Sequence, residues 1–423
     1  MRISFNKDAG AKIKAPGRII YFVFYILLSP VLKIMFRMKY DRSDFSMPDG
    51  PFVVLSNHAS VMDFVTVILA LYPRRLNAVV AQKYFYYSPL DKFLPFVGCI
   101  PKTLFDPDPR SVMGIMSIIK RGHNLLLFPE GRCTTGGGYM GMHKATGKLI
   151  KKLGVPVISC HIDGAYNCMP LWRKGVRWGR QRVVVSSLFS ADDTQSLTVD
   201  EINLRIDKCL SGEFSPPLAK PLHVLRERRL TEGLEGVIYF CPKCKDEFTL
   251  KAQDNIIVCL SCGNIAEMDR YARLVSLAPS GDGCIPETVQ QWYLEQLDYE
   301  GQQLDKAAFD SSAFIDIEAD VSMLLCPGKG LELCGRGRVS LSRSGWDFDG
   351  VLSGENVRLH FPIDAVPAIP FDPSDNFQIY ANGVIYAFTP ADNPKACVKC
   401  AIVGELAYWR FASHVQMTQG AQA

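Results

Sequence analysis

Between residues 46 and 212 short apolar runs take turns with longer segments of helical spacing, and no other feature of the 423-residue chain narrows its fold as much. The runs 52–55, 78–80, 125–128, 155–159 and 183–185 are too short for ordinary helices and largely apolar. Between them lie 61–71, 111–120 and 146–153, whose apolar residues recur at the spacing of one helix face. Strands apolar on both sides are covered on both faces, so this alternation predicts an α/β domain with a mostly buried central sheet and flanking helices.

The remainder divides by its punctuation. The proline-rich stretch 213–222 and the segment 277–286, with two prolines and two glycines, read as linkers. Beyond the second, a helix is expected near 287–306. Alternating strands follow: Val339 and Leu341, then Val357, Leu359 and Phe361, then a hairpin turning at Asn382-Gly383, with a closing helix near 395–411. The expected organisation is a basic and apolar anchor (1–45), the α/β domain (46–212), a linker (213–235), a cysteine module (236–268), a helical connector (285–310) and a mostly antiparallel β domain capped by a helix (315–413).

A formal charge of +4 is small for this length and gives no nucleic-acid footprint over the whole chain. Local charge is more telling. Arg2, Lys7, Lys12, Lys14, Arg18, Lys33, Arg37 and Lys39 are accompanied by one acid, Asp8, and flank the apolar run 19–32. That run is about fourteen residues, broken at Ser29-Pro30, against roughly 20 needed to cross a bilayer. It reads as a helix, or a kinked pair of helical turns, lying in one leaflet of an anionic membrane; a buried core helix is the plainer alternative. No secretory signal in the usual order is recognisable. In 171–182 two tryptophans stand among five basic residues, which suits lipid headgroups or, as readily, a solvated loop.

Two loops carry residues suited to chemistry. In Leu55-Ser-Asn-His-Ala-Ser-Val-Met-Asp63, His58 and Asp63 are about 140° apart on a regular helix, so they meet only if His58 sits in the strand-to-helix turn and Asp63 in the first helical turn. Ser60-x-x-Asp63 reads as a capping box consistent with that turn. In Phe128-Pro-Glu-Gly-Arg-Cys-Thr-Thr-Gly136, Gly131 lets backbone approach a ligand and Arg132 can fork onto two phosphate oxygens. A capping aspartate, a satisfied turn histidine and a solvated surface arginine are the plainer readings.

Taken together, His58-x-x-x-x-Asp63, Lys83-Tyr-Phe, Pro95-Phe-Val-Gly-Cys-Ile-Pro-Lys102, Phe128-Pro-Glu-Gly131 and Val155-Pro-Val-Ile-Ser159 resemble, in order and spacing, the blocks of the glycerophosphate and lysophospholipid acyltransferase family over about residues 50–165. The resemblance implies transfer of an acyl group from an acyl-CoA or acyl-carrier-protein thioester to lysophosphatidic acid, on the cytoplasmic face of a membrane. His58 would be the general base, Asp63 its orienting acid, and Lys83, Lys102 and Arg132 the phosphate ligands. Glu130 would order the loop or touch the acceptor. No nucleophile and no redox cofactor are implied, and Cys133 is given no role. Arg132 directly after Gly131, with His161-Ile-Asp-Gly-Ala165 downstream, is more similar to domains that reacylate lysophosphatidylethanolamine. A catalytically silent membrane scaffold is the non-enzyme alternative.

Cys241-Pro-Lys-Cys244 and Cys259-Leu-Ser-Cys262 supply four thiolates at the spacing of a zinc ribbon, with no position left open for chemistry. Asp246, Glu247, Asp254 and Glu267 around them argue against nucleic acid as its partner. The scatter of the other cysteines among 14 suits a reducing compartment. Cys397-Val-Lys-Cys400 is a lone pair read as structural, and the β domain around it resembles, weakly, a pleckstrin-homology-like lipid-surface module.

Overall fold

The computed structural model describes residues 13–42, 45–103, 108–213, 225, 227–278, 284–307 and 313–420, with side chains of the last helix to residue 412. Arg2, Lys7 and Lys12, most of the first linker, and part of the second lie outside the described residues. The chain forms two compact units, one of Met1–Leu171 with Gly175–Arg226 and one of Trp172–Lys174 with Glu227–Ala423.

The first unit is built on seven strands: β1 (Lys39–Asp41), β2 (Val53–Ser56), β3 (Leu76–Ala81), β4 (Ile100–Lys102), β5 (Asn124–Leu127), β6 (Val157–Asp163) and β7 (Arg182–Phe189). Their order is β1-β7-β6-β2-β5-β3-β4. Strands β6, β2, β5, β3 and β4 are parallel, whereas β7 runs antiparallel to β6 and pairs in parallel with β1.

Pleating sends alternate residues of the central strands to opposite faces. Val54, Leu126 and Ile158 pack against α2 (Asp63–Leu71) and α3 (Leu90–Phe96). Val53, Leu55, Leu125 and Val157 pack against α4 (Pro109–Lys120), α5 (Ala145–Leu153) and α8 (Val199–Leu210). Short helices α6 (Ala165–Cys168) and α7 (Ala191–Ser196) complete the unit. Every residue of β2 is buried, as a strand covered on both faces requires.

The N-terminal run forms α1 (Arg18–Met35), a single helix of 18 residues that continues through Pro30, longer than the broken run expected. By length and composition α1 could cross a membrane, and 17% of it is buried. Leu32 and Phe36 pack on Val65 and Leu69 of α2. Ile19, Phe22, Val23, Ile26, Leu27, Val31 and Ile34 are exposed at the spacing of one helix face.

In the second unit a four-stranded antiparallel sheet, β8 (Leu250–Gln253), β9 (Ile256–Cys259), β10 (Ile265–Met268) and β11 (Leu274–Ser276), carries the cysteine knuckles. Helix α9 (Val289–Ala307) joins it: Gln296 accepts from the Tyr239 amide at 2.9 Å, and the Trp292 indole donates to Phe240 O at 2.8 Å.

A seven-stranded antiparallel sheet follows, of β12 (Ile315–Leu324), β13 (Leu331–Ser342), β14 (Gly345–Leu352), β15 (Glu355–Pro362), β16 (Phe371–Asp372), β17 (Asn376–Ala381) and β18 (Val384–Pro390), in the order β15-β14-β13-β12-β18-β17-β16. Asn382 and Gly383 turn between β17 and β18 with φ of 53° and 75°. Helix α10 (Ala396–Gly420) closes the unit with Cys397 and Cys400 buried on it.

Candidate active site and candidate metal centre

Parallel strands deliver the loops after their carboxyl ends to one edge of the sheet. His58 follows β2, Glu130, Gly131 and Arg132 follow β5, Lys83 follows β3, Lys102 ends β4, and His161 and Asp163 end β6. Five neighbouring strands therefore bring every residue singled out in the two motif loops, and both lysines, to that edge.

Asp63 is the first residue of α2 and His58 lies in the turn before it. His58 Nδ1 is 3.1 Å from Asp63 Oδ2, which also accepts from the amides of Ala59 at 2.6 Å and Ser60 at 2.7 Å. The carboxylate thus holds the turn and the imidazole at once. Ser60 departs from the expected capping box: its hydroxyl accepts from the Met62 amide, and the Asp63 amide bonds Ser60 O instead. Only the Asp63 half of the reciprocal pair is present, because the helix starts at Asp63 itself with Met62 at its cap.

Two further contacts fasten this turn to the second loop. Glu130 Oε1 accepts from the His58 amide at 2.7 Å, and the Thr134 amide donates to His58 O at 2.8 Å. Phe128 stacks on the imidazole with centroids 4.4 Å apart. Cys133 Sγ is 3.6 Å from both ring nitrogens, which puts it over the ring, in line with neither. Gly131, with φ of 73°, turns the chain by bonding back to Phe128 O.

Burial disfavours a charged His58, but the Cys133 sulfur and the bonded Asp63 carboxylate more than offset it, so the imidazolium is held well above its ordinary range. Burial pushes the Asp63 carboxyl up, against the pull of His58 and two amides. Glu130 is pushed up to about 7 by burial, with the His58 amide and ring charge acting in the other direction.

A cavity of about 190 Å³ opens beside His58 and is walled by Asn57, Glu130, Tyr139, His161, Asp163 and Tyr166 among others. Lys83, Lys102, Gly131 and Arg132 are not in its wall. Lys83 lies over the Tyr84 ring at 5.4 Å and Lys102 Nζ is 3.4 Å from Thr103 O, so the structure sets both on the same sheet edge without bringing them into the cavity.

Asn57 and Tyr166 are wall residues the sequence does not announce, whereas His161 and Asp163 stand in one of its motifs without an assigned role. Asn57 bonds both the amide and the carbonyl of Ile162, at 2.7 and 3.1 Å, continuing the β2–β6 pairing by side chain. Asp163 takes an ion pair from Arg182 at 2.8 Å and faces His161 Nε2 at 3.3 Å. Tyr166 donates to Thr135 O at 2.9 Å. Polar residues at the end of an apolar strand were the available signal for the pair on β6.

The cysteine cluster is in the second unit. The Sγ atoms of Cys241, Cys244, Cys259 and Cys262 lie within 4.8 Å of one another, with Cys241–Cys262 and Cys244–Cys259 at 3.7 Å. A tetrahedron with Zn–S of about 2.3 Å has edges of about 3.8 Å. The four sulfurs fit such an ion and are too far apart for disulfides. Asn264 Nδ2 lies 3.9 Å from Cys241 Sγ and Thr249 Oγ1 lies 3.3 Å from Cys259 Sγ, so each can donate to a thiolate of the cluster.

Comparison with known proteins bears on the first unit. The chain is 26% identical over 148 residues to the chloroplastic 1-acyl-sn-glycerol-3-phosphate acyltransferase BAT2 of Brassica napus, covering 32% of this chain and 40% of that protein. It is 26% identical over 140 residues to the chloroplastic 1-acyl-sn-glycerol-3-phosphate acyltransferase LPAT1 of Arabidopsis thaliana, covering 32% and 39%. The chain thus spans about two fifths of the length of these curated relatives. Among solved structures, the 1-acyl-sn-glycerophosphate (LPA) acyltransferase PlsC of Thermotoga maritima is similar at 17% identity and a TM-score of 0.41, over 48% of this chain and 82% of that one. The family described as Acyltransferase matches residues 37–163, the interval that holds both motif loops.

Proposed function

We propose that the chain transfers a fatty acyl group from an acyl-CoA or acyl-carrier-protein thioester to the free hydroxyl of lysophosphatidic acid, giving phosphatidic acid, as a peripheral or monotopic enzyme on the cytoplasmic face of a membrane. The observation that carries the reading is the 3.1 Å approach of His58 Nδ1 to Asp63 Oδ2 at the wall of a polar cavity. With Nδ1–H directed to Asp63, Nε2 keeps its lone pair and accepts the proton of the attacking hydroxyl. The oxygen bonds to the thioester carbonyl carbon, the C–S bond breaks, and the proton on His58 passes to the departing thiolate. Asp63 stabilises the intervening imidazolium, and no acyl-enzyme is required.

Glu130 acts as a positioning residue through the His58 amide, and Gly131 lets the loop turn. Lys83, Lys102 and Arg132 face the acceptor phosphate from the β5–β3–β4 side of the sheet edge. The two curated relatives, both named for 1-acyl-sn-glycerol-3-phosphate, support this acceptor. Lysophosphatidylethanolamine is the second reading, favoured by Arg132 directly after Gly131 and by Asp163, a carboxylate in the cavity wall. The exposed stripe of α1 supports lipid contact. The four clustered cysteines hold a structural zinc, and the β domain serves as a pleckstrin-homology-like lipid or protein contact.

The test is acyl transfer from a long-chain thioester by wild type and His58→Ala, with lysophosphatidic acid, lysophosphatidylethanolamine and glycerol 3-phosphate as acceptors. Loss of a general base predicts a fall of about 10²–10⁴-fold in the variant on the true acceptor. A wild type inactive with every donor and acceptor sinks the enzyme reading in favour of the scaffold.

A further inference from the structure

Trp178 is 61% exposed on a backbone that is fixed on both sides. The Arg177 amide donates to Cys168 O at 2.8 Å, Gly179 to Met35 O at 3.2 Å, and Gln181 to Phe36 O at 2.9 Å. The last two satisfy carbonyls at the end of α1 that lack helical partners, so the loop is built onto that helix end. Its other side chains are sorted in the unusual sense: Arg177 and Gln181 are buried, 1% and 2% exposed, while the indole stands in solvent. Of the two readings the sequence left open for 171–182, lipid headgroups or a solvated loop, neither holds for the whole stretch, since Trp172 and Arg177 are buried and Arg182 pairs with Asp163.

We propose that Trp178 and Arg180 form a second membrane contact, continuous with the exposed stripe of α1, and that the occupant is an anionic lipid bilayer. The proposal rests on the reading of α1 as a lipid-facing helix. The bonds to Met35 and Phe36 hold the loop beside Ile34, which is 66% exposed, and Arg37. Arg18, Lys33, Arg37, Lys39 and Arg180 are exposed along helix and loop, and no acid occurs from residue 18 to 40. That charge fits anionic headgroups, and an indole with one polar atom fits the boundary between headgroups and acyl chains. A helix lying in one leaflet brings the loop bonded to its end to the same surface.

The full chain is mixed with vesicles of phosphatidylcholine, alone or with phosphatidylglycerol, and tryptophan emission is followed with lipids brominated near the headgroup. Wild type shows a quenched component on anionic vesicles that Trp178→Phe lacks. Trp178→Ala partitions several-fold more weakly with an unchanged thermal melt. Equal partitioning of Trp178→Ala and wild type, or the same quenching in Trp178→Phe, overturns the proposal. Binding abolished by Leu27→Asp with Val31→Asp yet untouched by Trp178→Ala overturns the loop contact alone, and a wild type that binds no vesicle removes the helix reading with it. None of these readouts depends on acyl transfer.

Discussion

His58 is half-buried, stacked by Phe128 and held by Asp63, and under the proposed reaction this environment sets how transfer responds to pH. A general base works only when neutral. Because the folded imidazole titrates above its ordinary value of 6.5, transfer by wild type is expected to rise with pH along a limb displaced upward from that of a free imidazole. Asp63→Asn removes the charge that stabilises the imidazolium, so the limb moves to lower pH while the plateau rate falls; an unmoved limb in the variant's pH–rate profile would refute the pairing. The stability linkage runs in the opposite direction with pH. The raised His58 pKa contributes stability that is present below the unfolded value and lost as pH rises through the folded one. At this scale the meeting of His58 and Asp63 is legible in sequence, because a strand, a short turn and a helix start leave few places for five residues. Cys133 is not, since its approach to the ring depends on how the loop after β5 folds back over the turn after β2. The half-formed box at Ser60 escapes because the helix starts at Asp63, which turns the Ser60 hydroxyl to the Met62 amide and leaves only the Asp63 carboxylate to close the pair.

Elements read best where both faces are buried and worst at edges. Strands β2, β3, β5, β6 and β7 are visible as apolar runs, but β1 and β4 have three residues each at the sheet margins, and β4 includes Pro101. The reversed direction of β7 leaves no mark on its composition, because a buried strand reads alike either way. The loop of residues 128–144 shows a different constraint. Gly137 has φ of 104°, and a Cβ there would lie 2.7 Å from the Tyr166 ring. Gly137→Ala is therefore expected to cost about 1–3 kcal/mol of local strain and to lower transfer by loosening the loop that carries Glu130, as thermal melts and rate measurements would show. The ribbon makes a parallel case. One zinc per chain is expected by elemental analysis, and its removal should raise hydrogen exchange in β8–β11 and in α9, which Gln296 and Trp292 tie to the ribbon backbone. Exchange unchanged by chelation would refute the structural metal.

Over the whole molecule the division into two units follows the composition shift at the proline-rich stretch, with the boundary at Arg226–Glu227. Trp172–Lys174 joins the second unit although it precedes that stretch, which no local pattern announces. The proposed membrane association is a property of the molecule as a whole. Each of the seven exposed apolar residues of α1 adds on the order of 1 kcal/mol when buried in lipid, and each basic residue near an anionic surface adds about as much. Their sum exceeds what one substitution removes, so a paired change is needed. Leu27→Asp with Val31→Asp puts two charges in the middle of the stripe, on side chains that are 64% and 55% exposed and so little used by the core. The doubly substituted protein is expected to keep its melting temperature, to lose binding to anionic vesicles, and to lose transfer to long-chain acceptors presented in them. Transfer to a soluble short-chain acceptor should persist, because His58, Asp63 and the cavity lie on the sheet edge and not on α1. For wild type, raising the salt should weaken vesicle binding, since the basic part of the attraction is screened over about 8–10 Å. Equal loss on both acceptors would mean that α1 supports the fold of the site itself and would remove the distinction between anchoring and catalysis.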